Sequence, residues 1–153
     1  LQKKDQPSDL IHIEKIRQEI SPKGVNLNVL LKKKDHAIEV NLRCSSSVPQ
    51  PFKYEKYDWE AEVEIKGGGI QEIKDITSQV APESGYVQAF KLKMPAKTLK
   101  WSRESPSSRR NFWIKLDKGS YARAQIKFVT GRKHLVYVET WINTDGNDFV
   151  IER

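Results

Sequence analysis

The chain has 153 residues, of which 37% are hydrophobic and 31% are charged, and its formal net charge is +7 at pH 7. This length suits one domain with its own core, and the composition is too hydrophobic for a disordered chain. No apolar run approaches the roughly 18 residues that a membrane-spanning helix needs, so we expect no membrane span.

The chain contains one cysteine, Cys44, and three histidines, His12, His36 and His134. One cysteine excludes an internal disulfide framework and a structural zinc site built on cysteine pairs. The histidines share no metal-ligand spacing, and no phosphate-binding glycine loop, G-x-S-x-G elbow or cofactor fingerprint is present. We therefore expect no cofactor. Cys44 ends an alternating apolar stretch, which predicts a buried, inert thiol.

The polar residues 1–9 contain Pro7 and predict a flexible leader, followed by a single domain over 10–153. The segment 10–20 is compatible with two structures. Its apolar residues fit a helical stripe behind a possible cap at Asp9, and they also fit the opening of a strand. We prefer the strand, because most of the remaining chain alternates with a period of two.

Alternation of apolar and polar residues recurs along the chain and predicts seven further strands. They are expected over 25–31, 38–44, 57–65, 88–94, 112–116, 122–128 and 135–142. The third of these gives the strongest signal, because five apolar residues there share one face and would all contact one core. They are Tyr57, Trp59, Ala61, Val63 and Ile65.

Turn residues separate these strands. Three consecutive glycines at 67–69 predict a turn or bulge, and T-G-R-K at 130–133 predicts a hairpin between two long strands. Eight or nine short strands joined by turns predict an all-β fold. We expect an antiparallel β-sandwich, immunoglobulin-like or jelly-roll-like, with a closed barrel as the alternative.

The C-terminal stretch W-I-N-T-D-G-N-D-F-V-I-E is compatible with a metal site or a turn. Four residues occupy positions of an EF-hand-type calcium loop: Asn143, Asp145, Gly146 and Glu152. Trp141 would be the first ligand but offers no side-chain oxygen, and Asp145-Gly146 is a strong hairpin signal. We predict an antiparallel hairpin that returns over 149–151, with positive φ at Gly146. A metal site of Asn143, Asp145 and Glu152 is the weaker alternative.

Charge is unevenly distributed along the chain. Thirteen Lys and Arg oppose two acids over 91–133, whereas eight acids oppose three lysines over 55–83. The simplest interpretation is that the outward faces of neighbouring strands carry opposite charges and form cross-strand ion pairs. The other interpretation is a basic surface that attracts polyanions.

The loop W-S-R-E-S-P-S-S-R-R-N-F-W has the composition of an interaction site. Arginines offer forked donors to sulfate, phosphate or carboxylate, and exposed tryptophans stack on sugar rings or bases. The candidate ligand-binding residues are Trp101, Arg103, Arg109, Arg110 and Trp113. The alternative is that both tryptophans pack into the edge of the core.

These features favour a non-catalytic binding or accessory domain, carbohydrate-binding or protein-binding, that contacts an anionic glycan or protein partner through this loop. One alternative is a polysaccharide-acting hydrolase or lyase that uses carboxylates among Glu60, Glu62 and Glu64. The other is a structural or assembly domain without a ligand. Nucleic acid is disfavoured, because no RNP-like motif, helix-turn-helix or zinc knuckle is present. We favour an exported bacterial location, whether periplasmic, cell-surface or extracellular.

Overall fold

The computed structural model describes residues 10–21, 24–31, 36–73, 80–105, 110–115, 121–143 and 150–152. These residues form eleven strands and no helix, so the strand interpretation of 10–20 is confirmed. The strands are β1 (Leu10–Glu19), β2 (Val25–Leu31), β3 (His36–Ser46), β4 (Trp59–Ile65), β5 (Gly69–Glu72), β6 (Val80–Pro82), β7 (Ala89–Met94), β8 (Arg110–Lys115), β9 (Tyr121–Val129), β10 (Leu135–Asn143) and β11 (Val150–Glu152). The predicted leader, 1–9, lies outside the described residues.

Nine of the strands form two antiparallel sheets. One has five strands in the order β1-β10-β9-β8-β5, and the other has four in the order β2-β3-β4-β7. The sheets do not close into a barrel, so the predicted β-sandwich is confirmed and the barrel alternative is wrong. The hairpin predicted at 130–133 is also confirmed, because it joins the antiparallel neighbours β9 and β10.

The last strand pairs differently from the prediction. β11 lies parallel to β6, with Val150 opposite Val80 and Glu152 opposite Pro82, so the expected hairpin with β10 was wrong. The physical reason is the place of β10 in its sheet, where it is hydrogen-bonded to β1 on one side and to β9 on the other. A central strand has no free edge for a returning partner. Gly146 lies outside the described residues.

The main core lies between the two sheets. All five residues that alternate over 57–65 are buried, which confirms that they share one core-facing side. The five-stranded sheet contributes the opposite wall, with Phe112, Ile114, Ala122, Ala124, Ile126, Phe128, Val136 and Val138. An edge-to-face contact between Phe90 and Phe112, with ring centroids 5.0 Å apart, joins β7 to β8 across the sandwich.

A second, smaller cluster covers part of the outer face of the five-stranded sheet. Trp113 and Tyr121 are buried there with Ile73 and Ala81, and Tyr86 packs against them. Side chains alternate along a strand, so Trp113 points away from the main core that its neighbours Phe112 and Ile114 enter. The sheet is therefore buried on both faces along β8, where Asn111 to Ile114 are all buried.

Opposite charges meet across the four-stranded sheet, as the charge pattern predicts. Glu62 lies between Arg43 on β3 and Lys91 on β7. Its carboxylate is 2.5 Å from the Arg43 guanidinium and 3.7 Å from the Lys91 ammonium. The acidic and basic strands are thus neighbours whose outward faces neutralise each other.

Replacement of Glu62 by glutamine is expected to lower the free energy of unfolding by about 0.5–1 kcal/mol at low salt. The side chains of Arg43 and Lys91 are 48% and 70% exposed, so the loss is small. It should shrink at about 1 M salt, where the screening length is roughly 3 Å. Urea denaturation at two salt concentrations measures it. Glu83→Gln, at an exposed position, is the matched control, and equal losses for both variants would contradict a specific ion pair.

Candidate functional site

Three loops meet at one end of the sandwich. They cover 47–58 between β3 and β4, 95–105 after β7, and 130–134 between β9 and β10. We call these residues together the basic loop end. They contain seven Lys and Arg but three acids, so positive charge collects at this end of the fold.

A chain of hydrogen bonds ties the three loops together. Thr130 Oγ1 donates to the Arg103 carbonyl oxygen (2.8 Å), which leaves the same oxygen atom of Thr130 to accept from the Tyr57 hydroxyl (2.7 Å). The Thr130 N–H also donates to the Arg103 carbonyl (2.7 Å). The guanidinium of Arg103 then donates through Nη2 to the Lys53 carbonyl oxygen (2.6 Å). Each loop is therefore held by at least one of the others.

Two tryptophans anchor the loops to the sandwich through their ring N–H groups. Trp59 Nε1 donates to the Ser102 carbonyl (2.8 Å), and Trp101 Nε1 donates to the Tyr57 carbonyl (2.8 Å). The Trp101 ring also meets the Tyr57 ring edge-to-face, with centroids 5.1 Å apart. Trp101 thus acts as an anchor with a half-buried ring, and not as a free stacking surface.

The tip of the first loop is a β-turn over 52–55. The Glu55 N–H donates to the Phe52 carbonyl (3.1 Å), and the Phe52 N–H donates back to the Glu55 carboxylate (2.9 Å). Lys53 and Tyr54 are its two central residues, and the Lys53 ammonium lies 5.4 Å from the centroid of the Tyr54 ring. The turn is therefore closed by hydrogen bonds from both of its ends.

Two consecutive β-turns form the tip of the second loop. The Thr98 N–H donates to the Pro95 carbonyl (2.9 Å), and the Trp101 N–H donates to the Thr98 carbonyl (3.1 Å). Their central pairs are Ala96-Lys97 and Leu99-Lys100. The turns of the first and second loops therefore each present a lysine beside an apolar or aromatic residue.

Three of these tip residues are unusually exposed. Phe52 is 78%, Tyr54 86% and Leu99 93% exposed. Among the described residues one other large hydrophobic side chain is exposed, Val87 at 54%, and it lies beyond the opposite end of β7. Exposed apolar side chains are thus concentrated at the basic loop end.

The acids of the loop end are engaged within the fold. Glu55 accepts from the Phe52 N–H, Asp58 accepts from the Ala96 N–H (2.7 Å), and Glu104 pairs with Lys127 at 2.9 Å. The seven cationic residues of the loop end are Lys53, Lys56, Lys97, Lys100, Arg103, Arg132 and Lys133. The acids therefore stabilise the turns, while the lysine-bearing tips face outward.

The structure separates the site residues that the sequence groups together. Trp101 and Arg103 lie in the basic loop end, whereas Trp113 is 2% exposed in the second cluster. A buried ring offers no face to a sugar, so the expectation of an exposed Trp113 beside the arginines was wrong. Arg109 lies outside the described residues. Arg110 begins β8 opposite Ile126, and its side chain is not among those described.

The exposed tips were missed in the sequence. Phe52 and Tyr54 lie in P-Q-P-F-K-Y-E-K, and Leu99 lies in A-K-T-L-K. The signal was present, because apolar residues flanked by proline and lysine follow neither the period of a strand nor that of a helix. Isolated apolar residues of this kind are candidates for exposure.

The acids Glu60 and Glu62 line an open groove on the outer face of the four-stranded sheet. The groove has a volume of about 450 Å³, and its other polar walls are Arg43, Ser45, Lys91 and Lys93. Glu64 accepts a long hydrogen bond from Asn41 (3.4 Å). These carboxylates lie beside cations or donors on a solvated face, which is the arrangement of ion-paired strands.

Cys44 is 1% exposed, and burial raises the pKa of its thiol to about 12. The predicted burial of this thiol is confirmed, and the group stays protonated at neutral pH. Among the described residues no group of three or more His, Cys, Asp or Glu could hold a metal ion. Asp145 and the side chains of Asn143 and Glu152 lie outside that description, so the calcium alternative stays a prediction.

In the described part of the chain no helix is long and apolar enough to cross a membrane. The chain matches no protein-family model, no curated protein and no solved structure.

Proposed function

We propose that this protein is a non-catalytic binding domain whose basic loop end holds an anionic partner, a polysaccharide or a protein. The observation that carries the proposal is the charge balance there. Seven cationic residues share the loop end with three acids, and each acid is already bonded within the fold. The loop end therefore carries an excess of four formal positive charges, and a partner bearing sulfate or carboxylate groups would meet a positive potential there.

The rigidity of the loops supports the proposal. Turn 52–55 is closed from both sides, and Arg103 ties it to the neighbouring loop. A surface that is ordered before contact loses less conformational entropy on binding than a mobile loop does. Loops at the end of a rigid sandwich are also a common place for recognition residues.

The test uses lysines at the turn tips, because Arg103 is part of the framework and its replacement would loosen the loops. Replacement of Lys53, Lys97 and Lys100 by serine is expected to weaken binding to heparin about tenfold at moderate salt. Retention of the unmodified protein on immobilised heparin should itself fall as salt rises. Salt-gradient chromatography and a direct titration measure both effects.

The matched control removes the same number of lysines from outside the basic loop end: Lys66, Lys91 and Lys93. Its retention should stay close to that of the unmodified protein. An equal loss in both triple variants would mean that overall charge, and not the loop end, governs binding. A protein that heparin and polyglutamate both fail to retain at low salt would overturn the proposal.

A further inference from the structure

The turn tips carry three apolar side chains. Binding of a soluble polyanion would not require them. Phe52, Tyr54 and Leu99 are 78%, 86% and 93% exposed, and they lie on two loops that Arg103 joins. Exposed aliphatic and aromatic side chains grouped at one end of a fold mark an interaction surface. The surface that they fit must offer an apolar phase as well as negative charge.

Lysine alternates with these apolar tips along both loops. The order is Phe52-Lys53-Tyr54 on one loop and Lys97-Thr98-Leu99-Lys100 on the other. An anionic bilayer matches this order, because it places negative headgroups directly above hydrocarbon. Lysine side chains can reach back to the headgroups while neighbouring apolar side chains enter the interface, and tyrosine is well suited to that boundary.

We propose that the basic loop end docks on an anionic lipid surface. Phe52, Tyr54 and Leu99 enter the interfacial region, and Lys53, Lys97 and Lys100 contact the headgroups. The protein would lie on the membrane through its turn tips and would not cross it. This goes beyond binding of a soluble anionic partner and shares with the proposed function the tip lysines.

A lipid surface explains the tips better than a soluble partner does. A sulfated or acidic polysaccharide supplies charge but no apolar phase for Leu99. A stable protein interface buries about 800 Å² on each side around an apolar core from which lysine is depleted. Here lysines alternate with the three apolar side chains, so the composition differs from that of a protein interface.

The turns are built to present these side chains without rearrangement. Turn 52–55 is closed by two hydrogen bonds, and Leu99 lies inside a turn whose last residue, Trp101, is anchored to Tyr57. These bonds hold the backbone of the turns, and the three apolar side chains extend from it into solvent. Preformed tips of this kind lower the entropy cost of docking.

The experiment compares sedimentation with phosphatidylserine-containing vesicles and with pure phosphatidylcholine vesicles. The unmodified protein should bind the anionic vesicles, less at high salt, and bind neutral ones weakly. The triple variant Phe52→Ser, Tyr54→Ser, Leu99→Ser keeps every lysine and should bind the anionic vesicles at least about tenfold more weakly. Its retention on heparin should be unchanged, which separates insertion from charge.

Val87→Ser is the matched control, because it removes an exposed apolar side chain away from the loop end and should leave vesicle binding unchanged. All replaced positions are exposed, and equal melting temperatures verify that the variants are folded. Unchanged vesicle binding by the triple variant would overturn the inference. Equal loss of heparin and vesicle binding would also overturn it, since the tips would then contact a soluble partner. Heparin binding without any vesicle binding would agree with the proposed function and would exclude docking on a membrane.

Discussion

Replacement of Trp113 by alanine is expected to lower the free energy of unfolding by about 3–5 kcal/mol. The indole is 2% exposed and packs with Ile73, Ala81 and Tyr121 on the outer face of the five-stranded sheet. Its loss would leave a cavity beneath β6, a three-residue strand with little freedom to refill it. The Arg123 guanidinium, 5.7 Å from the ring centroid, would also lose a cation–π contact.

Urea denaturation followed by circular dichroism measures this loss, and Trp113→Phe is the control. Phenylalanine keeps an aromatic ring in the cluster, so its cost should be roughly 1–2 kcal/mol. Heparin retention should be the same in both variants while they remain folded, because Trp113 is not part of the basic loop end. A loss below about 1 kcal/mol for alanine would mean that the indole is exposed in solution. Trp113 would then again be a candidate for stacking on a sugar ring of a ligand.

The strands could be predicted because apolar and polar residues alternate along a strand that contacts one core on one of its faces. The run 57–65 is the best example, since each of its five apolar residues is buried where the pattern places it. Alternation over 112–116 also predicts β8, but it does not predict that Trp113 is buried on the opposite face. The main core buries Phe112 and Ile114, and a distant segment that includes Ala81 covers Trp113. Burial of a strand face by a segment from elsewhere in the chain cannot be predicted from local alternation.

Pairing between strands was less predictable than their existence. Asp145-Gly146 carries a strong local turn signal, yet the strand before it already has neighbours on both edges. Which strand accepts β11 depends on that long-range arrangement. The candidate site was equally hard to predict from the sequence, because only the topology brings 52–55 and 98–101 together. Arg103 is an example, because its sequence context suggests a ligand contact but does not predict that its guanidinium donates to the Lys53 carbonyl oxygen.

Replacement of Trp59 by alanine is expected to cost about 3–5 kcal/mol of stability and also to loosen the basic loop end. The ring is 2% exposed at the start of β4, and its Nε1 donates to the Ser102 carbonyl at 2.8 Å. Loss of the ring removes core packing, and loss of the N–H removes an anchor of the loop 95–105. Urea denaturation gives the first effect.

Trp59→Phe separates the two roles, because it keeps most of the buried aromatic area and removes the donor. Its stability should fall by roughly 1–2 kcal/mol, since the Ser102 carbonyl loses its partner. Amide exchange over 99–103 should then accelerate more than exchange in β4. Trp113→Phe makes the same chemical change far from these loops in the fold, and it should leave that exchange and heparin retention unaltered. If Trp59→Phe also left the exchange unaltered, the Trp101 and Arg103 bonds alone would hold the tips in place. The order of the basic loop end would then be independent of the core beneath it.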